Sequence, residues 1–195
     1  IITITREFGS LGRKIARQVA QEMNYAYYDR DIIELAAKEL RSNIDVLSTL
    51  EDKKISTFGR MMYPLGLGTI SMQEMLYEME KSIIIDIAKT EDCVIVGRCS
   101  DYILHQCGFS NMLNVFIYAP YQKRIELSIS ELNLSPEQAK KYINGVDRAR
   151  STFYEYHTGE NIHSIKYRQL MLDSSSMPFT YCSDIICSMA HRIFG

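Results

Sequence analysis

The spacing of apolar positions changes repeatedly along this chain, and each change marks an element. Ile1-Ile2-Thr3-Ile4-Thr5 is β-branched throughout and reads as a strand. After a short loop holding Gly9 and Gly12, apolar residues recur at Ile15, Val19 and Met23, with Ala16 and Ala20 between them, which is a helical period. Tyr25-Ala26-Tyr27-Tyr28 is a short aromatic strand, and Asp31 can cap a helix from Ile32 to about Leu40. Residues 42–70 have weak periodicity and the glycine-bearing run Pro64-Leu65-Gly66-Leu67-Gly68, the mark of an insert or arm. Ser71-Met72-Gln73-Glu74 has capping-box spacing and opens a long helix with a stripe of Met75, Met79, Ile83 and Ile87.

Cys93-Val94-Ile95-Val96 and Val115-Phe116-Ile117-Tyr118 are apolar or aromatic without alternation, as expected of parallel strands covered on both faces. Ser135-Pro136-Glu137-Gln138 combines a capping box with Pro at the first helical position. The helix it starts closes on Gly159. Asp184-Ile185-Ile186-Cys187 reads as the last strand. Five strand candidates separated by helices predict a doubly wound α/β domain spanning residues 1–195, with the first strand central. Its ligands belong at the carboxyl ends of the strands.

Composition narrows the classes without choosing one. The 195 residues are 46% hydrophobic and 24% charged, with a net charge of −2. That balance gives no broad attraction to nucleic acid or membrane, so any basic site is local. No apolar run approaches the length of a membrane span. Five cysteines without a C-x-x-C fit neither a disulfide framework nor a zinc knuckle, so we expect reduced thiols, a cytoplasmic location and no metal site of protein ligands. The oligomeric state is not legible.

Chemistry gathers at the ends of the predicted strands. Arg6, Ser10, Gly12 and Arg13 follow the first, Asp29 and Arg30 the second, and Gly97, Arg98 and Asp101 the third. A strand, a glycine loop and a helix N-terminus in succession aim backbone N–H groups and the helix dipole at one point, where a phosphate commonly sits. Arg13 opposes that dipole unless an anion joins it. Asp29 also suits a simple helix cap. Arg98, directly after a buried strand, calls for a carboxylate or phosphate partner. Farther on, Asp147 and Arg150 share a helical face, whereas Arg148 is rotated away. The loop departs from G-x-x-x-x-G-K-[ST]: with Gly12-Arg13 in the place of Gly-Lys, Glu7 replaces the first Gly and Lys14 the hydroxyl residue.

The segments Thr5 to Arg13, Tyr27-Tyr28-Asp29-Arg30, Val94 to Leu104, Val115 to Pro120, Asp147-Arg148-Ala149-Arg150 and Tyr154 to Gly159 together resemble the cytidylate kinase-like family. These are bacterial relatives of cytidylate kinase within the P-loop nucleoside-monophosphate kinases. The resemblance covers nearly the whole chain in order. It implies a P-loop nucleoside-kinase-like three-layer fold with a parallel five-stranded sheet, a monophosphate-binding arm at about 42–70 and a helical lid at about 135–165. It further implies that Gly9, Ser10, Leu11, Gly12, Arg13 and Lys14 hold the triphosphate of ATP. Arg98 would sit in the monophosphate pocket, with Asp29 and Asp101 beside the acceptor or a water on Mg²⁺. Arg13, Arg148 and Arg150 would act on the transferring phosphoryl group.

Three positions depart from the pattern: Arg13 stands for the loop lysine, Leu11 for a glycine, and Cys99 for the Asp that follows Gly-Arg in cytidylate kinases. Tyr167 to Asp173 resembles a worn form of another family segment. Two readings therefore stand. One is a phosphotransferase moving a phosphoryl group from ATP to a nucleoside monophosphate or similar small phosphorylated acceptor. The other is a catalytically degenerate nucleotide-binding or regulatory domain. A third, an interaction module presenting the methionines between Met61 and Met75, has less behind it, since methionine packs well in cores.

Overall fold

A computed structural model describes residues 1–33 and 70–195. The elements are β1 (Ile2–Arg6), α1 (Gly12–Met23), β2 (Ala26–Tyr28), α2 (Ile70–Thr90), β3 (Cys93–Val96), α3 (Ser100–Gln106), β4 (Leu113–Tyr118), α4 (Tyr121–Leu132), α5 (Pro136–Thr158), β5 (Leu170–Asp173) and α6 (Phe179–Phe194). The five strands form one sheet in the order β2-β3-β1-β4-β5. All four pairings are parallel. The first strand is central, as its pattern predicts, and Ile2 pairs with both Val94 and Leu113.

β1 is covered on both faces, which explains why it carries no charge before Arg6, its last residue. Ile2 and Ile4 join Val94, Val96, Val115 and Ile117 against α1 and α6. On the opposite face Ile95 and Phe116 pack with Ile84 of α2, Ile103 and Leu104 of α3, and Tyr154 of α5. Thr3 and Thr5 face that side as buried hydroxyls; Thr3 donates to Asn114 Oδ1 at 2.7 Å and Thr5 to Asp101 Oδ2 at 3.3 Å. A third cluster joins Phe8 of the loop to Ile125 of α4 and to Ala139, Ile143 and Val146 of α5.

Four sequence readings are corrected. Asp184–Cys187 is not a strand but lies inside α6, and the fifth strand is β5. The buried residues of α6, namely Cys182, Ser183, Ile186, Cys187 and Ala190, repeat every three or four positions, a helical stripe that a four-residue window hides. Helix α2 opens at Ile70, so Ser71 lies in its first turn rather than capping it. Its buried stripe is Leu76, Tyr77, Glu80 and Ile84, one step round from the expected methionine stripe, and it carries a carboxylate inward.

Finally, Asp29 rather than Asp31 opens the helical turn at residues 30–33. Its Oδ1 accepts from the N–H groups of Asp31 at 3.0 Å and Ile32 at 3.4 Å. The arm expected at about 42–70 lies, but for its last residue, outside the described residues. The α5 expectations hold: Ser135 caps it in a reciprocal capping box with Gln138, Pro136 is its first residue and Gly159 ends it at φ 69°.

Candidate active site

A cleft opens where β1 and β3 end. Thr5, Arg6, Arg30, Val96, Gly97, Arg98, Cys99, Arg150, Phe153, Tyr154 and Ile162 line it. Four of these are arginines and none is Asp or Glu. The topology brings them together. β1 and β3 are neighbours in parallel register, so the residues leaving them are adjacent, and α5 lays Arg150, Phe153 and Tyr154 across the opening.

The loop after β1 ends on backbone N–H groups at the start of α1, and its side chains are committed elsewhere. Intrahelical bonding begins with Ile15 N–H onto the Leu11 carbonyl at 3.0 Å, which leaves the N–H groups of Gly12, Arg13 and Lys14 without intrahelical acceptors. Gly9 has φ +79°, and a Cβ there would lie 2.9 Å from the Arg124 carbonyl, so position 9 admits only glycine. Leu11 holds the left-handed conformation at φ 58°, a region that costs a side-chain-bearing residue about 1–2 kcal/mol. The Ser10 hydroxyl donates inward, to the carbonyls of Glu7 at 3.0 Å and Ile117 at 3.2 Å. Lys14 pairs with Glu131 at 3.0 Å and lies over the Phe179 ring.

Arg13 turns away from the loop toward β2. Its guanidinium lies 3.4 Å from Asp29 and 3.6 Å from Asp31, so this cation is neutralised by carboxylates at the end of β2. Asp29 is buried and also accepts from Tyr27 Oη at 3.3 Å.

On the β3 side, Gly97, Arg98 and Cys99 are all left-handed, at φ 80°, 57° and 54°, and that bend sends Arg98 back under α5. Arg98 meets Glu80 of α2 at 3.2 Å, and both side chains are almost completely buried. It also lies over the Phe153 ring. The carboxylate partner that a buried arginine demands is thus Glu80, which sequence spacing missed because Glu80 stands between Met79 and Lys81 and reads as a surface charge. Nearby, His157 stacks on Tyr77 with ring centroids 3.6 Å apart. Burial, together with the Arg98 charge, lowers its pKa from 6.5 to about 4.

Asp101 does not line the cleft; it lies beneath the floor. Its Oδ2 accepts from Thr5 and from Tyr154 Oη at 3.2 Å and faces Arg168 at 3.1 Å. Burial raises its pKa, against the pull of Arg168, the Tyr102 N–H, Tyr154 and Thr5. Arg168 is itself fully buried, between the rings of Phe116 and Tyr154. This ion pair fastens β1, α3, α5 and the segment before β5 to one another.

Asp147 does not orient Arg150. It accepts from the Phe8 N–H at 2.7 Å and pairs closely with Arg124, clamping the loop to α4 and α5. Arg150 donates instead to the Arg6 carbonyl at 3.1 Å. Burial lowers the pKa of Arg150 to about 10; the Asp147 charge opposes this, while Arg13, Arg30 and Arg124 add to it. Arg6 is shifted well down, by burial first and then by Arg150 and Arg13. Arg148 is exposed and outside the cleft lining. Of the residues expected to act on phosphate, then, Arg98 and Arg150 reach the cleft, joined by Arg6 and Arg30, which strand-end placement marks without assigning a role.

The start of α1 offers no hydroxyl, and among the described residues no three His, Cys, Asp or Glu side chains gather as a ligand set.

These features define the α/β fold of the P-loop kinases. A gluconokinase from Sinorhizobium meliloti 1021 superposes with a TM-score of 0.57 at 12% identity, covering 98% of this chain and 91% of that one. A shikimate kinase from Bacteroides thetaiotaomicron superposes at 0.52 and 12% identity, with 97% of each chain covered. An uncharacterized protein from Eubacterium ventriosum ATCC 27560 is more similar, with a TM-score of 0.74 at 18% identity over 97% of each chain. The model of the cytidylate kinase-like family matches residues 1–176, and the chain belongs to that family. No curated protein matches it in sequence. Among the described residues no helix is long and apolar enough to cross a membrane.

Proposed function

We propose that this protein is a phosphotransferase that moves a phosphoryl group from ATP to a nucleoside monophosphate or a similar small phosphorylated acceptor. The observation that carries this reading is the cleft lining: four guanidinium groups and no carboxylate, beside a helix N-terminus with free N–H groups. Phosphoryl transfer asks for positioning and for positive charge around the equatorial oxygens, with little covalent help.

Arg98, held rigid by Glu80, grips the acceptor's phosphate, while Arg150, on the helix that crosses the cleft, covers the transferring group. Gly9 to Lys14 cradle the donor through their backbone. ATP brings Mg²⁺ on its own phosphates, since the helix start supplies no hydroxyl ligand, and no step here depends on the metal. Titration calorimetry with ATP and with each nucleoside monophosphate, beside a coupled ADP-release assay, tests the reading. The expected result is ATP binding and acceptor-dependent ADP release.

One feature favours a second reading, a domain that binds nucleotide without turning it over: Leu11 occupies a left-handed position suited to glycine, its side chain packed on the core. ATP binding with no ADP release on any monophosphate would select that reading.

A further inference from the structure

The glycines of the loop do different jobs, and the difference identifies the cation that serves the donor phosphates. The positions with positive φ are 9 and 11. Gly12 is not among them; it is the first residue of α1 and has ordinary helical freedom to carry a side chain. What forbids one is Arg6. A Cβ on residue 12 would lie 2.6 Å from Arg6 Cβ and 2.9 Å from Arg6 Cγ, closer than real Cβ atoms approach. The Arg6 side chain therefore fills the space that a side chain on the first helical residue would take.

This contact sets the register of the loop against G-x-x-x-x-G-K-[ST], whose lysine reaches the β- and γ-phosphates. With left-handed Leu11 at the second glycine, the lysine position is Gly12 and the first-glycine position is Arg6. The chain has thus exchanged the two: arginine stands where the motif has glycine, and glycine where it has lysine. Arg6 then runs from the end of β1 past the helix start. Its Nη1 reaches within 2.3 Å of where a Cβ on Gly97 would sit, so Gly97 makes room for the guanidinium as Gly12 does for the stem. Among the described residues no carboxylate pairs with Arg6, and its near cationic neighbours are Arg150 and Arg13. Arg13, one place later, is occupied by Asp29 and Asp31.

We infer that Arg6 takes the part of the P-loop lysine, delivering from the strand end the positive charge that bridges the donor's terminal phosphates. The inference rests on the proposed phosphotransferase reading and assigns its donor-side cation. Arg6 and Arg150 line the same cleft, and a multiply charged anion such as a triphosphate is the ligand that could engage both guanidiniums at once.

The test relocates the charge. Arg6→Gly, Gly12→Lys and the double variant are compared with the parent for ATP and inorganic tripolyphosphate binding by calorimetry, for ADP release, and for thermal unfolding. Arg6→Gly should weaken both ligands about 10- to 100-fold, the range for losing hydrogen bonds from a charged donor. Gly12→Lys alone should lower the melting temperature through its contact with Arg6. The double variant, which recreates the motif's Gly and Lys together, should recover binding to within a few-fold of the parent and regain melting temperature over Gly12→Lys. Arg13→Ala should change triphosphate affinity less than Arg6→Gly.

A parent that binds ATP while Arg6→Gly binds it equally well overturns the inference and leaves the kinase reading standing. So does an Arg6→Gly variant impaired only in acceptor KM, or a double variant no better than Arg6→Gly. A parent that binds neither ATP nor tripolyphosphate overturns both readings.

Discussion

The two ends of the cleft hold their arginines in opposite ways. At one end Arg98 is matched by Glu80 inside the protein, 3.2 Å away with both groups nearly out of solvent. At the other, Arg6 and Arg150 lie together near Arg13, with the charges of Asp29 and Asp147 only partly offsetting them, and among the described residues neither has a carboxylate within ion-pair distance. The first arrangement has its counter-charge before any ligand arrives and serves the fold as well as the site. The second is electrostatically incomplete until an anion arrives. An arginine in a cleft can therefore be held in place by the protein before it meets a ligand, as Arg98 is, or be left to find its counter-charge in one, as Arg6 is.

The largest effect should come from breaking the matched end. Glu80→Ala leaves Arg98 buried without its carboxylate and should cost about 3–5 kcal/mol in urea unfolding. The double variant Glu80→Leu with Arg98→Met should recover most of that loss. If Glu80→Ala unfolds like the parent, the pair is not a structural element and the comparison fails.

Acid should act on the same end. The His157 pKa is about 4 in the folded chain against 6.5 when unfolded, so between those values the unfolded state binds more protons. Stability should be fully present above about pH 6.5 and should fall as pH drops toward 4, by on the order of 2 kcal/mol once screening of a half-buried ring is allowed for. His157→Phe keeps the stack on Tyr77 and should flatten that part of the pH profile.

Ser135→Ala removes the cap of α5 at the end of the helix away from the cleft. It should lower stability by about 1 kcal/mol while leaving nucleotide binding unchanged. The smallest effect belongs to the unmatched end: Arg6→Met should change the stability of the ligand-free protein by less than about 0.5 kcal/mol, or raise it. A large destabilisation there would mean that Arg6 is held by the fold as firmly as Arg98 is.

Most of the frame was legible because it depends on local spacing. β1, β3 and β4 announce themselves as unbroken apolar or β-branched runs, and the capping box and Gly159 bound α5 within a residue. What stayed hidden depends on direction. Ile185 and Ile186 read as a strand until the stripe from Cys182 to Ala190 is followed through a whole helix. Glu80 looks like a surface charge beside Met79, yet its place on α2 buries it against Arg98. The strand-end pattern put Arg13, Asp29 and Arg98 at one edge of the sheet correctly. It could not show that Arg13 and Asp29 pair with each other, that Asp101 faces Arg168 under the floor, or that the side chain of Arg6 claims the space above Gly12.

The parallel register of the central strand also bears on how the chain reaches this structure. Ile2 pairs with Val94 on one side and Leu113 on the other, so β1 has no local partner and must wait for roughly ninety residues of later chain. At synthesis rates of about 5–20 residues per second, that wait lasts on the order of 5–20 s, long against the microseconds in which a helix such as α1 forms. Non-local pairing of this kind places folding toward the slow end for small domains. During the wait Ile1 to Thr5 is a short, uncharged, β-branched segment of the sort that pairs readily with other chains. Production of the protein should therefore be more sensitive to chaperone supply and to translation speed between β1 and β4 than its folded stability would suggest.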